Sequence, residues 1–292
     1  MSWDNLFGVS SYEIDVTKSL KSNGAPDFSQ SLQNYNPAST TQNSLIVSQL
    51  EAGTQYYFRV IGKNEGGKGV FSEIGSKTTI PPTPLLNPVT EKDQDSFRIN
   101  WTDSKGAESY EVDVSIKSNN FNPNLELYDS RQTEDLFIDV TGLSAGEEYK
   151  FRVRAINDCG ISASSDENED CAKPDTPTNL STSNVTTNSL TLSWSAVTEA
   201  DHYLINVSET EGMSPTLPAY SDKIHTSNSI DIVGLKQDTQ YYFTVKSVKT
   251  DCGTSPPSNA HTEITAKKTK FKVALPATCL LYTSDAADDT PC

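Results

Sequence analysis

Three histidines, five cysteines and a run of carboxylates are the residues of this 292-residue chain whose types could do chemistry. His202, His225 and His261 each stand in a different local context, without the partner pattern of a nucleophile or a zinc site. No Gly-x-Ser-x-Gly elbow, His-Glu-x-x-His motif or phosphate-binding glycine loop occurs. All three read as solvated surface histidines. Asp166-Glu167-Asn168-Glu169-Asp170 matches the first half of a calcium loop. That loop then fails at its two most restrictive points, with Cys171 in place of Gly and Pro177 in place of Glu. It reads as an acidic strand edge, which discourages edge-to-edge pairing; weak calcium binding at a domain junction is the alternative. Glycoside hydrolysis needs two acids held across a cleft, and short strands offer no deep one. The sequence therefore points to no catalytic residue, no metal and no cofactor.

The cysteines are Cys159, Cys171, Cys252, Cys279 and Cys292, and no Cys-x-x-Cys pair is among them. The formal net charge of −16 repels phosphate backbones and anionic headgroups, so nucleic acid and bare membrane are poor partners. There is no run of eighteen apolar residues to insert in a membrane.

The elements that must position these residues are written three times. Leu50 is followed by Tyr56, Leu143 by Tyr149 and Leu235 by Tyr241, each at a spacing of six, and the leucines recur at about 92 residues. That period suits a self-sufficient small domain with its own core. An alternating strand follows each pair: Tyr56, Phe58, Val60; Tyr149, Phe151, Val153, Ala155; Tyr241, Phe243, Val245. Upstream, Trp3, Trp101 and Trp194 are each followed nine residues later by Tyr12, Tyr110 and Tyr203. Each of those tyrosines opens another alternating run. Leu136, Ile138 and Val140 form a further strand in the second repeat, as do Ile230 and Ile232 in the third. No segment holds a 3.6-residue apolar period. Pro81-Pro82-Thr83-Pro84 and Pro174-Asp175-Thr176-Pro177 are stiff linkers that cannot continue a ladder. The expected units are 1–80, 81–173 and 174–266, with a tail at 267–292 that is disordered or artefactual.

Together these residues resemble the fibronectin type III family. That resemblance covers residues 1 to about 266. It implies an all-β fold of three tandem immunoglobulin-like sandwiches, with a Trp on the second strand, a Tyr on the third and a Leu-to-Tyr corner before the sixth. The corner usually carries Pro two residues after the Leu; here Ala52, Ala145 and Gln237 stand there. The Tyr hydroxyl of such a corner bonds back to the backbone just upstream. The run Tyr110-Glu111-Val112-Asp113-Val114-Ser115, with the segment from Tyr149 to Gly160, is similar to extracellular arrays of Bacteroidota. Against this pattern the first repeat lacks its first strand and most of its second, which should expose core residues and leave 1–80 unstable alone. Residues 279–292 resemble translated sequencing-adapter read-through, with a real acidic tail as the alternative.

In a tandem array the turn carrying Cys159, or Cys252, points toward the preceding unit. A Cys171–Cys252 bridge would then staple two units and leave Cys159 free. A Cys159–Cys171 bridge is shorter in sequence but harder in geometry, and free thiols are a third state. Asn100, Asn179, Asn184 and Asn206 head Asn-x-Ser/Thr triplets; Asn100 and Asn206 alternate with inward residues and should face out. The resemblance implies a non-catalytic extracellular or cell-surface spacer or adhesion array, monomeric within a longer chain, whose partner is a protein or glycan. Its exposed turns, Asn64–Gly69, Asp158–Ser162 and Asp251–Pro257, are the candidate contacts. The rival readings are an accessory segment of a secreted polysaccharide-degrading enzyme or protease and a receptor ectodomain.

Overall fold

Alternation of apolar and polar side chains places one face of each strand in a core and the other in water. In the strand Glu148–Asn157, Tyr149, Phe151, Val153 and Ala155 are buried while Lys150, Arg152 and Arg154 lie on the other face. The computed structural model describes residues 1–269 and contains strands, short 3₁₀ turns and no α-helix among them. The adapter-like segment, with Cys279 and Cys292, lies outside the described residues.

The expectation of tandem all-β sandwiches is met. In the second unit Ser109–Ile116 and Glu148–Asn157 pair antiparallel at the centre of a five-stranded sheet, flanked by Arg131–Thr133, Gly160–Ile161 and Asn168–Cys171. Ser96–Asn100 pairs with Phe137–Thr141 to form the facing sheet. The third unit repeats this plan. His202–Ser208 and Gln240–Lys249 are central in its five-stranded sheet, and Ser181–Ser183, Ser189–Ser193 and Ser229–Val233 face them. Leu136, expected to begin an inward-facing set, instead precedes its strand and is 41% exposed. Only its carbonyl is used, accepting the Trp101 amide.

The first unit has the five-stranded sheet, centred on Ser11–Thr17 and Gln55–Asn64. Facing it are only Met1–Trp3 and residues 43–45, joined by a single bridge at Ser2 and Ser44. Phe58 and Val60 are consequently half-buried, whereas their counterparts Phe151, Val153, Phe243 and Val245 are sealed.

Polar closure repeats as well. The amide of the residue after each corner leucine donates to the corner tyrosine hydroxyl: Glu51 to Tyr56 at 2.9 Å, Ser144 to Tyr149 at 2.8 Å and Lys236 to Tyr241 at 2.9 Å. The tyrosines that follow the tryptophans act alike, Tyr12, Tyr110 and Tyr203 each accepting an amide at 2.9 Å from Leu6, Ser104 and Val197. Burial pushes the Tyr110 phenol up. Each ring meets its tryptophan at a steep angle, with centroids 5.2–5.5 Å apart.

A third tyrosine set escaped sequence reading. Tyr35, Tyr128 and Tyr220 are buried, and their hydroxyls accept the amides of Ser48, Thr141 and Val233. They sit in 3₁₀ turns within polar loops, so strand alternation does not mark them. Their signal was positional: each stands fifteen residues before its corner leucine.

Candidate functional site at the domain junctions

In the second and third units the turn after the long central strand leans on the unit before it, and the sequence supplies small and polar residues where the two backbones meet. At the first junction Gly53 has φ +57° and a Cβ there would sit 1.7 Å from the Lys105 carbonyl oxygen. Gly106, at φ +73°, faces Gly53 from the other side, where a Cβ would sit 2.7 Å from the Gly53 carbonyl oxygen. Only glycine permits both the backbone angle and the approach. The Asn157 side chain donates to the carbonyls of Thr79 and Gly106, both at 3.0 Å, and so ties the linker to the second unit. Lys105 Nζ donates to Thr54 Oγ1 at 2.8 Å. The Cys159 thiol has no disulfide partner among the described residues and donates to the Thr78 carbonyl.

The second junction places its residues equivalently. Cys171 and Cys252 form a disulfide with Cα atoms 5.1 Å apart. Both are buried. Lys249 Nζ donates to the Gly146 carbonyl at 2.6 Å and to Glu199 Oε2 at 3.1 Å. Lys92 Nζ bonds Asp170 and also the Asp251 carbonyl, the latter at 3.1 Å, bridging the two units beside the disulfide. Gln94 Nε2 donates to Pro174 O at 3.3 Å and Thr176 Oγ1 at 3.2 Å in the linker.

Two of the three exposed turns expected to be candidate contacts are therefore partly engaged. Asp158–Ser162 and Asp251–Pro257 carry the cysteines that face the preceding unit, and the Asp251 carbonyl is also taken up by Lys92. Asn64–Gly69 remains exposed at its tip, where the Asn64 side chain caps the turn by accepting the Gly66 amide at 2.8 Å.

The acidic run does not converge on a cation site. Glu169 pairs with Lys117 at 2.7 Å, Glu167 with Lys150 at 3.4 Å, and Asp170 with Lys92. Hydrogen bonding to Lys117 holds the Glu169 carboxyl below the usual carboxylate range, and the same contact raises Lys117. Among the described residues no three metal-ligating side chains converge. The histidines are also apart. His225 Nε2 lies 2.7 Å from Ser229 O, and His261 Nε2 lies 3.1 Å from Thr182 Oγ1; both rings are half-buried rather than fully solvated.

The outer faces of the long strands differ between units. Asp15 opposes Arg59, Asp113 opposes Arg152, and Asn206 opposes Thr244. Arg59 Nε donates to Asp15 at 2.8 Å and its guanidinium lies over Phe28 and Phe71. Asp113 is buried beneath Arg152 and Arg154, at 2.8 and 2.9 Å. In the third unit Asn206, expected to face out, is instead covered. Its Nδ2 donates to Asp222 Oδ1 at 2.7 Å and its Oδ1 accepts the Asp222 amide at 2.8 Å, because the neighbouring turn folds over that face. Asn100 is half-buried, with its amide on Thr90 Oγ1 at 3.0 Å. Asn179 and Asn184 are exposed.

Three successive stretches, residues 1–78, 81–169 and 175–264, match the family model described as fibronectin type III domain. The chain belongs to the fibronectin type III family. Among curated proteins it is similar to Chitinase A1 of Niallia circulans, 33% identical over 140 residues that make up 44% of this chain and 19% of that one. It is similar to human Myomesin-2, 27% identical over 246 residues, 73% of this chain and 16% of the relative. The chain thus spans less than a fifth of the length of either relative. Among solved structures, the chicken CNTN1 FN1-FN3 domains align over 91% of both chains, with 19% identity and a TM-score of 0.33. Among the described residues no helix is long and apolar enough to cross a membrane.

Proposed function

We propose that this chain is a non-catalytic fibronectin type III array serving as a spacer and adhesion segment of a secreted or surface-exposed protein. The buried Cys171–Cys252 disulfide carries the location, since disulfides persist in oxidising compartments. Cohesive sandwiches, stiff linkers and polar-paired surfaces suit a segment that holds neighbouring parts at a set separation. Its partner is a protein or glycan met on exposed surface such as the Asn64–Gly69 turn. Peptide mapping of the secreted chain without reduction should recover residues 171 and 252 in one linked species. Reduced thiols in protein alkylated at harvest would overturn the extracellular placement, and hydrolysis of a polysaccharide or protein panel by the purified chain would overturn the non-catalytic reading.

The similarity to Chitinase A1 favours a second reading, an accessory segment beside a secreted polysaccharide-degrading domain. Retention of the chain on insoluble chitin, compared with cellulose, separates the two: specific retention supports the accessory reading, and its absence favours the spacer.

A further inference from the structure

The two junctions are built on the same register. Thr78 pairs with Gln55, and Cys171 pairs with Glu148, at the same point of their respective sheets. Each faces the cysteine in the next unit's turn: the Cys159 thiol touches the Thr78 carbonyl, and Cys252 is bonded to Cys171. Around them, Gly53 approaches Lys105 and Gly106 as Gly146 approaches Glu199. Lys105 reaches back to Thr54 at the first junction, and Lys249 reaches back to Gly146 at the second.

We infer that the array uses one docking geometry twice, closed covalently at the second junction and by reversible contacts at the first, so that the three described units bend at the first junction. The hydrogen bonds of Asn157 and Lys105 break and reform without chemistry. Opening the second junction to the same degree requires cleavage of a sulfur–sulfur bond. The second and third units therefore move as one body, and the first unit swings against them. This inference builds on the spacer reading by locating where the spacer yields, and it is read from shape alone, so a failed binding assay leaves it untouched.

The test uses the full chain. Thr78→Cys is incubated with oxidised glutathione. The introduced thiol and that of Cys159 lose two electrons and two protons to form a disulfide, while glutathione disulfide is cleaved to two thiols. Peptide mapping without reduction should recover a species linking positions 78 and 159 alongside the intact 171–252 pair, and adding Cys159→Ser should abolish it. Small-angle scattering should give a narrower distribution of interatomic distances for oxidised Thr78→Cys than for the parent. The double variant Cys171→Ala, Cys252→Ala should give a broader one. Absence of the 78–159 link would overturn the shared geometry. A double variant that is folded by circular dichroism yet scatters like the parent would overturn the role of the staple. Should that variant fail to fold, the Thr78→Cys arm decides alone: scattering unchanged by a formed link sinks the inference of a bend at the first junction.

Discussion

Thr78 and Cys171 occupy one register position in successive units, and each meets the cysteine of the turn that follows it. One junction is thereby bonded and the other is not. The approach of the glycines makes the unbonded junction sensitive to bulk. Gly53→Ala drives a methyl group into the Lys105 carbonyl at a positive φ, so scattering should show a more open array while each sandwich keeps its circular dichroism spectrum. Gly146→Ala meets the Glu199 side chain at 2.6 Å instead, and the staple holds that junction, so its scattering should change less.

The corner tyrosine is tested by Tyr149→Phe. The Ser144 amide loses its acceptor, and denaturant melts should show a loss of about 1 kcal/mol. A loss indistinguishable from zero would remove the hydroxyl from the account of the corner.

Serine hydroxyls fill gaps in the ladder. Ser258 Oγ accepts the buried Val245 amide at 3.0 Å, as Ser165 Oγ accepts that of Val153 at 3.1 Å. Ser258→Ala strands that amide in the core and should cost about 1–3 kcal/mol in urea melts of the third unit. Ser258→Thr, which keeps a hydroxyl, should recover part of the loss.

The first unit should unfold first. Its buried cluster is limited to Tyr12, Ile14, Val16, Tyr35 and Tyr56, and Phe58 and Val60 reach solvent. Hydrogen exchange across Gln55–Asn64 should outpace exchange across Glu148–Asn157 and Gln240–Lys249 by at least about tenfold, a difference of about 1.4 kcal/mol in opening. Equal protection would show that half a sandwich suffices.

Acid should destabilise the second and third units. The hydrogen bonds of Arg98 hold the Asp139 carboxyl below its ordinary range, Asn206 does so for Asp222, and Thr182 for Glu263. A carboxyl lowered by folding contributes stability above its unfolded pKa and loses it as pH falls through the folded value. Melting temperatures should hold from neutral pH to about 5 and fall below about pH 4. Asp139→Asn should flatten part of that fall.

The strands were legible because alternation is a local property: Trp101, Tyr110, Tyr149 and Phe151 announce their burial through their immediate neighbours. Tyr35, Tyr128 and Tyr220 were not, because their burial depends on a loop folding over a distant strand. Asn206 failed for a related reason. Alternation places it on the outer face, and only the turn carrying Asp222 determines that this face is covered.

By itself the sequence determined the fold class, the repeat and the polarity of each sheet face, since these follow from side-chain period and spacing along one strand. The tertiary structure decided which cysteines meet, which turns are taken up by junctions and how far the first core stands open. Those outcomes depend on distances between residues more than seventy positions apart, such as Asn157 and Thr79 or Cys171 and Cys252, and a local pattern carries no information about such distances.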